Sequence, residues 1–268
     1  MDASNDFQGT LDPTKYLQKC FKSPDERPLS RFVLENLHQF FTTKCFQNPE
    51  GHTPRVLDYG CGPVIANVIS AAGIGSDIIL AEYTEKSRQA IQQWLDSEPS
   101  AWDWSPYFKY IVQNLEGKER EETHKREETL HKAIKGVVTC DITQDPPIAK
   151  EFEGPYDVVM SILSIENGCL TREEYKTAVQ KIAGLIRTGG TLLLNSTVRN
   201  KEGLGYYYVG EHKYVQVALP LQFVLTTLEE NGFIDITKNI FWDNESMIKH
   251  NDGKSDLETI AFITATKL

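Results

Sequence analysis

The sequence has no run of eighteen apolar residues, the length that a membrane-spanning helix needs. Basic residues are also few, since 28 Lys and Arg stand against 38 Asp and Glu. The formal net charge of −10 repels phosphate backbones, so we expect no nucleic-acid partner. Residues 1–10 lack the basic start and apolar segment of a secretory signal, and we therefore predict a soluble, cytoplasmic protein outside the membrane.

Cysteine is sparse and unpatterned. An odd total and the absence of a CxxC pair argue against a disulfide framework and against zinc, and they favour reduced thiols. No metal site is predicted. The ordinary apolar and charged shares, 40% and 25%, predict a single globular domain over residues 1–268, which we expect to be a monomer. The cysteines are Cys20, Cys45, Cys61, Cys140 and Cys169.

The middle of the chain alternates apolar strand patterns with helical patterns. Such alternation predicts an α/β fold with a mainly parallel sheet and helices on both faces. A hairpin is predicted around residues 206–217, before two final strands that bring the sheet to seven. The strands are predicted at 55–59, 77–83, 136–141, 156–165, 191–197, 233–242 and 258–266.

Helical patterns before and between the strands predict the rest of the architecture. Residues 1–50 are expected to form a helical lid, with one helix over 14–21 and a longer one that ends at 49–51. Residues 51–268 form the core, and 98–135 are an insertion whose charge-dense tract predicts a solvated helix. The other helices are predicted from Pro63 to Ala72 and over 84–96, 172–187 and 220–231, with Gly189-Gly190 breaking the helix before the fifth strand.

The sharpest local signal is the turn Gly60-Cys61-Gly62, which follows an apolar strand. Glycine lets the backbone bend tightly and lets a ligand lie against bare main chain. Glu82 closes the next strand, where an acid can accept hydrogen bonds from both ribose hydroxyls of a nucleotide. A dinucleotide site favours a third glycine, but this chain has Ile65 there, which disfavours NAD.

These features, together with Asp141-Ile142 after the third strand, resemble the class I S-adenosylmethionine-dependent methyltransferases. The resemblance implies a Rossmann-like fold, S-adenosyl-L-methionine as the methyl donor and S-adenosyl-L-homocysteine as the product. In that class the acid after the third strand holds the adenine amino group. A coincidence of ordinary turns and caps is the alternative interpretation.

Longer stretches narrow the resemblance. The rare-residue cluster EPSAWDWSP at 98–106, the segments 114–117 and 140–144, and YYYVGE at 206–211 are similar to the small-molecule N-methyltransferases of nicotinamide, indolethylamine and phenylethanolamine. Asp12-Pro13 and Tyr16-Leu17 resemble the N-terminal lid of that family. The similarity runs from about residue 7 to 267 and implies methyl transfer to the nitrogen of a small amine by direct in-line displacement.

The resemblance also implies a set of cofactor contacts. Tyr16 corresponds to the lid tyrosine over the reacting methyl group, which implies a catalytic role as well. Phe21 and Ala66 stand where family members carry tyrosines, so two contacts are expected to be missing. The implied cofactor-binding residues are Tyr16, Phe21, Gly60, Gly62, Glu82, Tyr83, Ser87, Asp141, Ile142 and Ile162.

For the substrate amine, the resemblance implies two acids in catalytic and binding roles. Glu166 follows the fourth strand, and Asp256 precedes the last one. The simpler interpretations are an acid at a helix N-terminus for Glu166 and a solvated loop residue for Asp256. Leu163, Thr197 and Tyr207 are expected to line the same pocket, although Tyr207 could equally be a packing residue of the sheet.

One absence bears on the substrate. The nicotinamide-specific members carry an Asp after the fifth strand, where this chain has Ser196, and a serine in the late hairpin, where it has Val215-Gln216. We therefore expect a primary or secondary amine rather than a pyridine carboxamide. The alternatives are methylation of a ring nitrogen or a thioether, cofactor binding without catalysis and, more distantly, a nicotinamide-dependent oxidoreductase.

Overall fold

The computed structural model describes residues 7–43, 53–200, 202–209, 211–241 and 259–268. Short apolar segments with many β-branched residues form the strands, as expected for strands buried on both faces. The strands are β1 (Arg55–Tyr59), β2 (Asp77–Ala81), β3 (Ile134–Val138), β4 (Tyr156–Ile162), β5 (Ile186–Val198), β6 (Gly203–Val209), β7 (His212–Ala218), β8 (Phe233–Phe241) and β9 (Thr259–Lys267).

The main sheet is seven-stranded, in the order β3-β2-β1-β4-β5-β9-β8. The neighbouring strands among β1 to β5 pair in parallel, whereas β9 pairs antiparallel with both of its neighbours, β5 and β8. The strand order reverses direction at β1 and β4, and the crevice outside the carboxyl ends of such strands is where α/β sheets bind ligands. The predicted hairpin is confirmed as an antiparallel pair, β6 with β7, separate from the main sheet.

Helices cover both faces of the sheet. Alternate strand residues point to opposite sides, so Val56 and Met160 belong to one apolar core, and Leu57 and Val159 to another. The helices are α1 (Phe7–Thr10), α2 (Pro13–Cys20), α3 (Pro28–Thr43), α4 (Ile69–Ala72), α5 (Glu85–Leu95), α6 (Ser105–Lys109), α7 (Arg120–Ala133), α8 (Arg172–Gly184) and α9 (Leu221–Glu230).

The N-terminal helices form where the sequence predicts them. Asp12 caps α2, because its Oδ1 accepts a hydrogen bond from the Lys15 amide at 3.1 Å. The apolar face of α3 packs into the first core through residues such as Leu37 and Phe41. The segment 49–51, which was expected to end this helix, lies outside the described residues.

The helix predicted directly after the glycine turn is wrong in its start and length. Pro63 lies in a turn, a short 3-10 helix follows at Ala66–Val68, and α4 has only four residues. The segment is rich in β-branched residues, Val64, Ile65 and Val68 among them. Branching at Cβ lowers helix propensity, and burial of all three side chains stabilises the irregular path instead.

Strand and helix ends differ from the prediction by a few residues. The second and fourth strands stop earlier than expected, at Ala81 and Ile162, and β3 begins immediately after α7 and ends at Val138. Gly189-Gly190 does not terminate the preceding helix, which ends at Gly184. Both glycines lie inside β5, where a Cβ on Gly190 would come within 2.9 Å of the Arg187 carbonyl oxygen.

The insertion combines a predicted and an unpredicted feature. The charge-dense tract forms α7, and its ion pairs at helical spacing include Lys125 with Glu122. Arg126, however, turns inward and makes a two-pronged ion pair with Glu116, at 2.8 and 3.0 Å. A short π-helix, Tyr110–Leu115, joins α6 to the turn before α7. Within the described ranges, the helices are too short or too polar to cross a membrane.

Candidate active site

The glycine turn lies at the carboxyl end of β1. Gly60 and Gly62 have φ values of 72° and 62°, a region that residues with a Cβ rarely adopt. The amides of Gly60 and Cys61 both donate to the Ala81 carbonyl oxygen, at 2.8 and 3.1 Å, which ties the turn to the end of β2. A Cβ on Gly60 would lie 1.7 Å from Ser164 Oγ, whereas a Cβ on Gly62 would meet open space.

Glu82 is held rigidly beside this turn. One carboxylate oxygen accepts from the Gly62 amide at 3.0 Å, and the other accepts from the amide and hydroxyl of Thr84 at 2.9 and 2.8 Å. The oxygen that accepts from Gly62 retains capacity for another hydrogen bond, so the side chain is preorganised to accept from a ribose hydroxyl. Because the Gly62 amide is already in use, it is not free to bind a pyrophosphate.

The carboxyl of Asp58, directly under the turn, differs from that of Glu82. Asp58 is fully buried beside Asn67, and its oxygens make no well-formed hydrogen bond with a described residue. Burial raises the pKa of Asp58 to about 8, with nearby Glu82 contributing in the same direction. The raised pKa therefore favours the neutral form of the Asp58 carboxyl at neutral pH.

A single cavity of ≈ 850 Å³ opens above these groups. Most of the predicted site residues contribute to its wall, drawn from the glycine turn, the strand ends, the lid and the hairpin. Those that do are Tyr16, Phe21, Gly60, Gly62, Glu82, Tyr83, Asp141, Ile142, Ile162, Leu163, Thr197 and Tyr207.

The segments after β2 and β3 form the end of the cavity at which the sequence predicts adenine binding. Tyr83 is 41% exposed, so its ring is available to pack on a planar ligand. Asp141 Oδ1 accepts from the amide and hydroxyl of Thr143, at 2.9 and 2.7 Å, which fixes its orientation. Ser87 is placed differently from the prediction: it is fully buried behind Thr84, its hydroxyl oxygen lies 2.6 Å from that of Thr84, and it lies outside the cavity wall.

The floor between the two ends is shaped by the end of β4. Leu163 has a φ of 53°, unusual for a branched residue, and it is held there by two hydrogen bonds. Its amide donates to the Asn195 carbonyl oxygen at 2.6 Å, and its own carbonyl accepts from Asn167 Nδ2 at 2.7 Å. This arrangement keeps the Leu163 backbone fully engaged and exposes its side chain to the cavity.

The lid, β5 and the hairpin form the part of the cavity at which the sequence predicts substrate binding, called the substrate end below. Tyr16 contacts Phe21 with ring centroids 5.6 Å apart, and Tyr207 stacks on Tyr214 at 5.5 Å. Burial raises the pKa values of Tyr16 and Tyr207 above the ordinary value of a tyrosine, so both hydroxyls remain neutral and can donate hydrogen bonds. Gln216 also lines this end and donates from Nε2 to Thr197 Oγ1 at 2.6 Å.

Glu166 does not take the position that the sequence predicts. It is 1% exposed and lies behind Thr197 rather than in the cavity wall. Its Oε1 accepts a hydrogen bond from the Thr197 amide at 2.9 Å. Burial raises the pKa of Glu166 to about 7, and hydrogen bonds from Thr197 oppose the rise. Its second oxygen has no well-formed partner in the described part of the chain.

Two groups of residues complete the comparison with the sequence. Asp256, the second predicted acid, lies outside the described residues. Other cavity residues lie outside the predicted set and share no linear motif. They include Arg27, Ser30, Asn67, Tyr107, Ser164, Asn167 and Gln216.

The sheet order, the glycine turn at the switch point and the clamped Glu82 define a class I methyltransferase fold with a site for an adenosine cofactor. A solved structure of the same fold is the glycopeptide N-methyltransferase MtfA complexed with S-adenosyl-L-homocysteine. It is 12% identical, with a TM-score of 0.54, covering 92% of this chain and 91% of that one. At this identity the likeness concerns the fold.

The sequence places the chain more narrowly. It matches the NNMT/PNMT/TEMT family over residues 1–268, and the chain belongs to that family. It is 30% identical to human nicotinamide N-methyltransferase over 248 residues, 91% of this chain and 90% of the relative. It is 29% identical to mouse indolethylamine N-methyltransferase, covering 85% and 83%. The protein is thus an S-adenosylmethionine-dependent N-methyltransferase.

Proposed function

We propose that this chain methylates the nitrogen of a small, largely apolar amine by a direct in-line displacement. The observation that carries the proposal is the continuity of one cavity from the clamped Glu82 to the wall formed by Tyr16, Leu163 and Tyr207. When bound, S-adenosylmethionine supplies an electrophilic methyl group on a sulfonium sulfur. The remaining catalytic task of the protein is to position the acceptor nitrogen and to exclude water.

The residues divide this task by location. Glu82 and Asp141 orient the adenosine part, and the open face above Gly62 leaves room for it. Tyr16 from the lid and Tyr207 from the hairpin enclose the opposite end, together with apolar Leu163. A pocket with aromatic walls and a few polar groups binds a small organic molecule through burial and orients it through hydrogen bonds.

At this end of the cavity, neutral side chains form hydrogen bonds, and the buried acid Glu166 lies behind them. Thr197 Oγ1 accepts from Gln216 Nε2 at 2.6 Å and lies 3.4 Å from Glu166 Oε1. The pKa of Glu166, about 7, lets this carboxyl change its protonation state near neutral pH. We infer that Glu166 compensates the positive charge that develops on the acceptor nitrogen, acting through Thr197 rather than by contact.

A second acceptor class is favoured by one observation. Among the described residues, the groups from β5 and the hairpin that line the substrate end, Thr197, Tyr207 and Gln216, are uncharged. A neutral ring nitrogen of the pyridine type needs no carboxylate to accept a proton, so it would fit this wall. Asp256, which would add a charge, remains a prediction.

A panel of methyl acceptors tests the proposal. Purified protein would be incubated with S-adenosylmethionine and with primary amines, secondary amines, pyridine-type heterocycles and thioethers, and the methylated products detected by mass. We expect the amines to be methylated fastest. Turnover only on heterocycles would select the second acceptor class, and S-adenosylhomocysteine binding in calorimetry without turnover on any acceptor would refute catalysis of this kind.

A further inference from the structure

Arg27 is a cation in the cavity wall with most of its hydrogen-bonding capacity unused. It lies between the 3-10 turn Pro24–Glu26 and α3. Its Nη1 donates to the Cys20 carbonyl oxygen at 2.8 Å, but its buried Nε has no hydrogen-bond partner among the residues that the structure describes. A guanidinium has five N–H donors, so several remain for a ligand.

The other cations of the same cavity are engaged differently. Lys181 donates to the carbonyl oxygens of Ile142 and Gln144, at 2.8 and 2.7 Å, and Lys19 reaches the Tyr208 carbonyl at 3.4 Å. Neither lysine can form the forked pair of hydrogen bonds that a guanidinium makes with a carboxylate. Across the described ranges, no carboxylate lies within ion-pair distance of Arg27.

Two hydroxyls lie beside this cation. Tyr107 is buried next to Ser30, and its hydroxyl makes no well-formed hydrogen bond with a described residue. Burial raises the pKa of Tyr107 to about 12, against the opposing charge of Arg27, so the phenol stays a donor. Ser30 is 7% exposed and also lines the cavity. Donors thus collect at this end, whereas the acceptors Glu82 and Asp141 occupy the ribose and adenine end.

The neighbouring side chains offer no competing hydrogen bonds. The Phe21 ring lies 6.0 Å from the guanidinium carbon of Arg27 and 6.0 Å from the Tyr107 ring. Ala66, on the other side of the glycine turn, is likewise apolar. These two positions are those at which the sequence predicts missing cofactor contacts.

We propose that Arg27 binds the α-carboxylate of S-adenosylmethionine, with the hydroxyls of Tyr107 and Ser30 as further donors. The carboxylate is the cofactor's only anionic group, and the acceptors around Glu82 orient the ribose away from it. The polarity of the cavity therefore fixes the direction in which the cofactor lies. The inference rests on the use of this cofactor and is independent of which nitrogen is methylated.

Calorimetric titration with two ligands tests the assignment. S-adenosylhomocysteine carries the carboxylate, and its decarboxylated analogue, which keeps the adenosine, the sulfur and the amine, does not. In Arg27→Met we expect the affinity for S-adenosylhomocysteine to fall on the order of 10- to 100-fold, because a charge-assisted hydrogen-bonded pair is lost. The affinity for the decarboxylated analogue should change by less than about 3-fold.

The ratio of the two dissociation constants makes the result independent of partial unfolding. Arg27→Lys keeps the charge but not the fork, so we expect an intermediate loss for the carboxylate ligand alone. Arg31→Met, one turn further along α3 and outside the cavity wall, controls for the loss of a positive charge and should leave both affinities unchanged. An equal loss for both ligands in Arg27→Met, or no loss for S-adenosylhomocysteine, would overturn the proposal, whatever the acceptor panel shows.

Discussion

The two ends of the cavity are built in different ways. At the ribose end, Glu82 and the glycine turn rest on strand ends, and the hydrogen bonds that fix them all lie within a short stretch of β1, β2 and the following turn. At the substrate end, Thr197, Tyr207 and Gln216 come from β5 and from a separate hairpin. The sheet therefore determines the geometry of the proposed ribose end, whereas the geometry of the proposed substrate end depends on how the hairpin and lid pack.

The largest effect is expected at the ribose end, in Gly60→Ala. The new Cβ would lie 1.7 Å from Ser164 Oγ at a φ of 72°, so both strain and overlap oppose the native turn. We expect a loss of about 2–4 kcal/mol in the free energy of unfolding, measured with urea. Gly62→Ala has a similar φ but open space around its Cβ and should lose only about 1 kcal/mol. Equal losses would contradict a specific role for the Gly60–Ser164 contact.

Next in size is the effect of Glu82→Gln on cofactor binding. Glutamine keeps the shape but replaces one acceptor oxygen by a donor, which faces either Thr84 or the Gly62 amide. We expect the dissociation constant for S-adenosylhomocysteine to rise about 10- to 100-fold, which corresponds to the loss of one hydrogen bond to a charged group. Its decarboxylated analogue should be weakened equally, in contrast to Arg27→Met. If only one of the two ligands were affected, the separation of ribose and carboxylate ends would be wrong.

At the substrate end, Glu166→Gln is expected to change stability in a pH-dependent way. Because the folded pKa of Glu166 is raised from 4.5 to about 7, ionisation opposes folding increasingly from pH 4.5 upwards, and the penalty is complete above about pH 7. Glutamine removes that penalty, so the variant should gain up to about 3 kcal/mol relative to wild type at pH 8. At pH 4.5 the difference should be near zero.

Urea unfolding of both proteins at the two pH values measures this difference. In the same variant, methyl transfer to the best acceptor should slow while the affinity for S-adenosylhomocysteine is retained. A pH-independent difference in stability would show that Glu166 titrates normally. Unchanged turnover would remove Glu166 from the proposed chain through Thr197.

The smallest effect is expected in Gln216→Leu. Leucine removes the amide that donates to Thr197 and preserves the approximate volume, so the wall should stay closed. We expect the KM of the acceptor to rise about 3- to 10-fold, the equivalent of one neutral hydrogen bond, with cofactor affinity unchanged. Val215→Ala, the neighbouring hairpin residue that does not line the cavity, is the matched control. A similar KM in both variants would mean that packing alone accounts for the effect.

Most residues predicted for the cofactor half from local patterns line the cavity. The turn at Gly60 and Gly62, the acid at Glu82 and the segment Asp141-Ile142 each follow a strand, and parallel strands bring their carboxyl ends to one edge. Any residue directly after such a strand must lie near that edge. Ser87 is the exception, because it sits one helical turn further on and points behind Thr84.

Predictions for the substrate half were less complete, for a geometric reason. Glu166 follows β4 as expected, yet the backbone turn at Leu163 rotates the next residues, and the carboxyl ends up behind Thr197. Gln216 and Arg27 carry no motif, since their roles arise only when the hairpin and the lid close over the sheet. The role of Asp256 stays a prediction.

The order of strands and helices, the bend at Gly60 and the position of Glu82 were determined by the sequence alone, because periodicity and glycine act over a few residues. Only the tertiary structure decided which side chains face each other across the cavity. The burial of Glu166, the free donors of Arg27 beside Tyr107 and the contact between Gln216 and Thr197 all join segments far apart in the chain. Such contacts depend on packing and on desolvation, which no local pattern encodes.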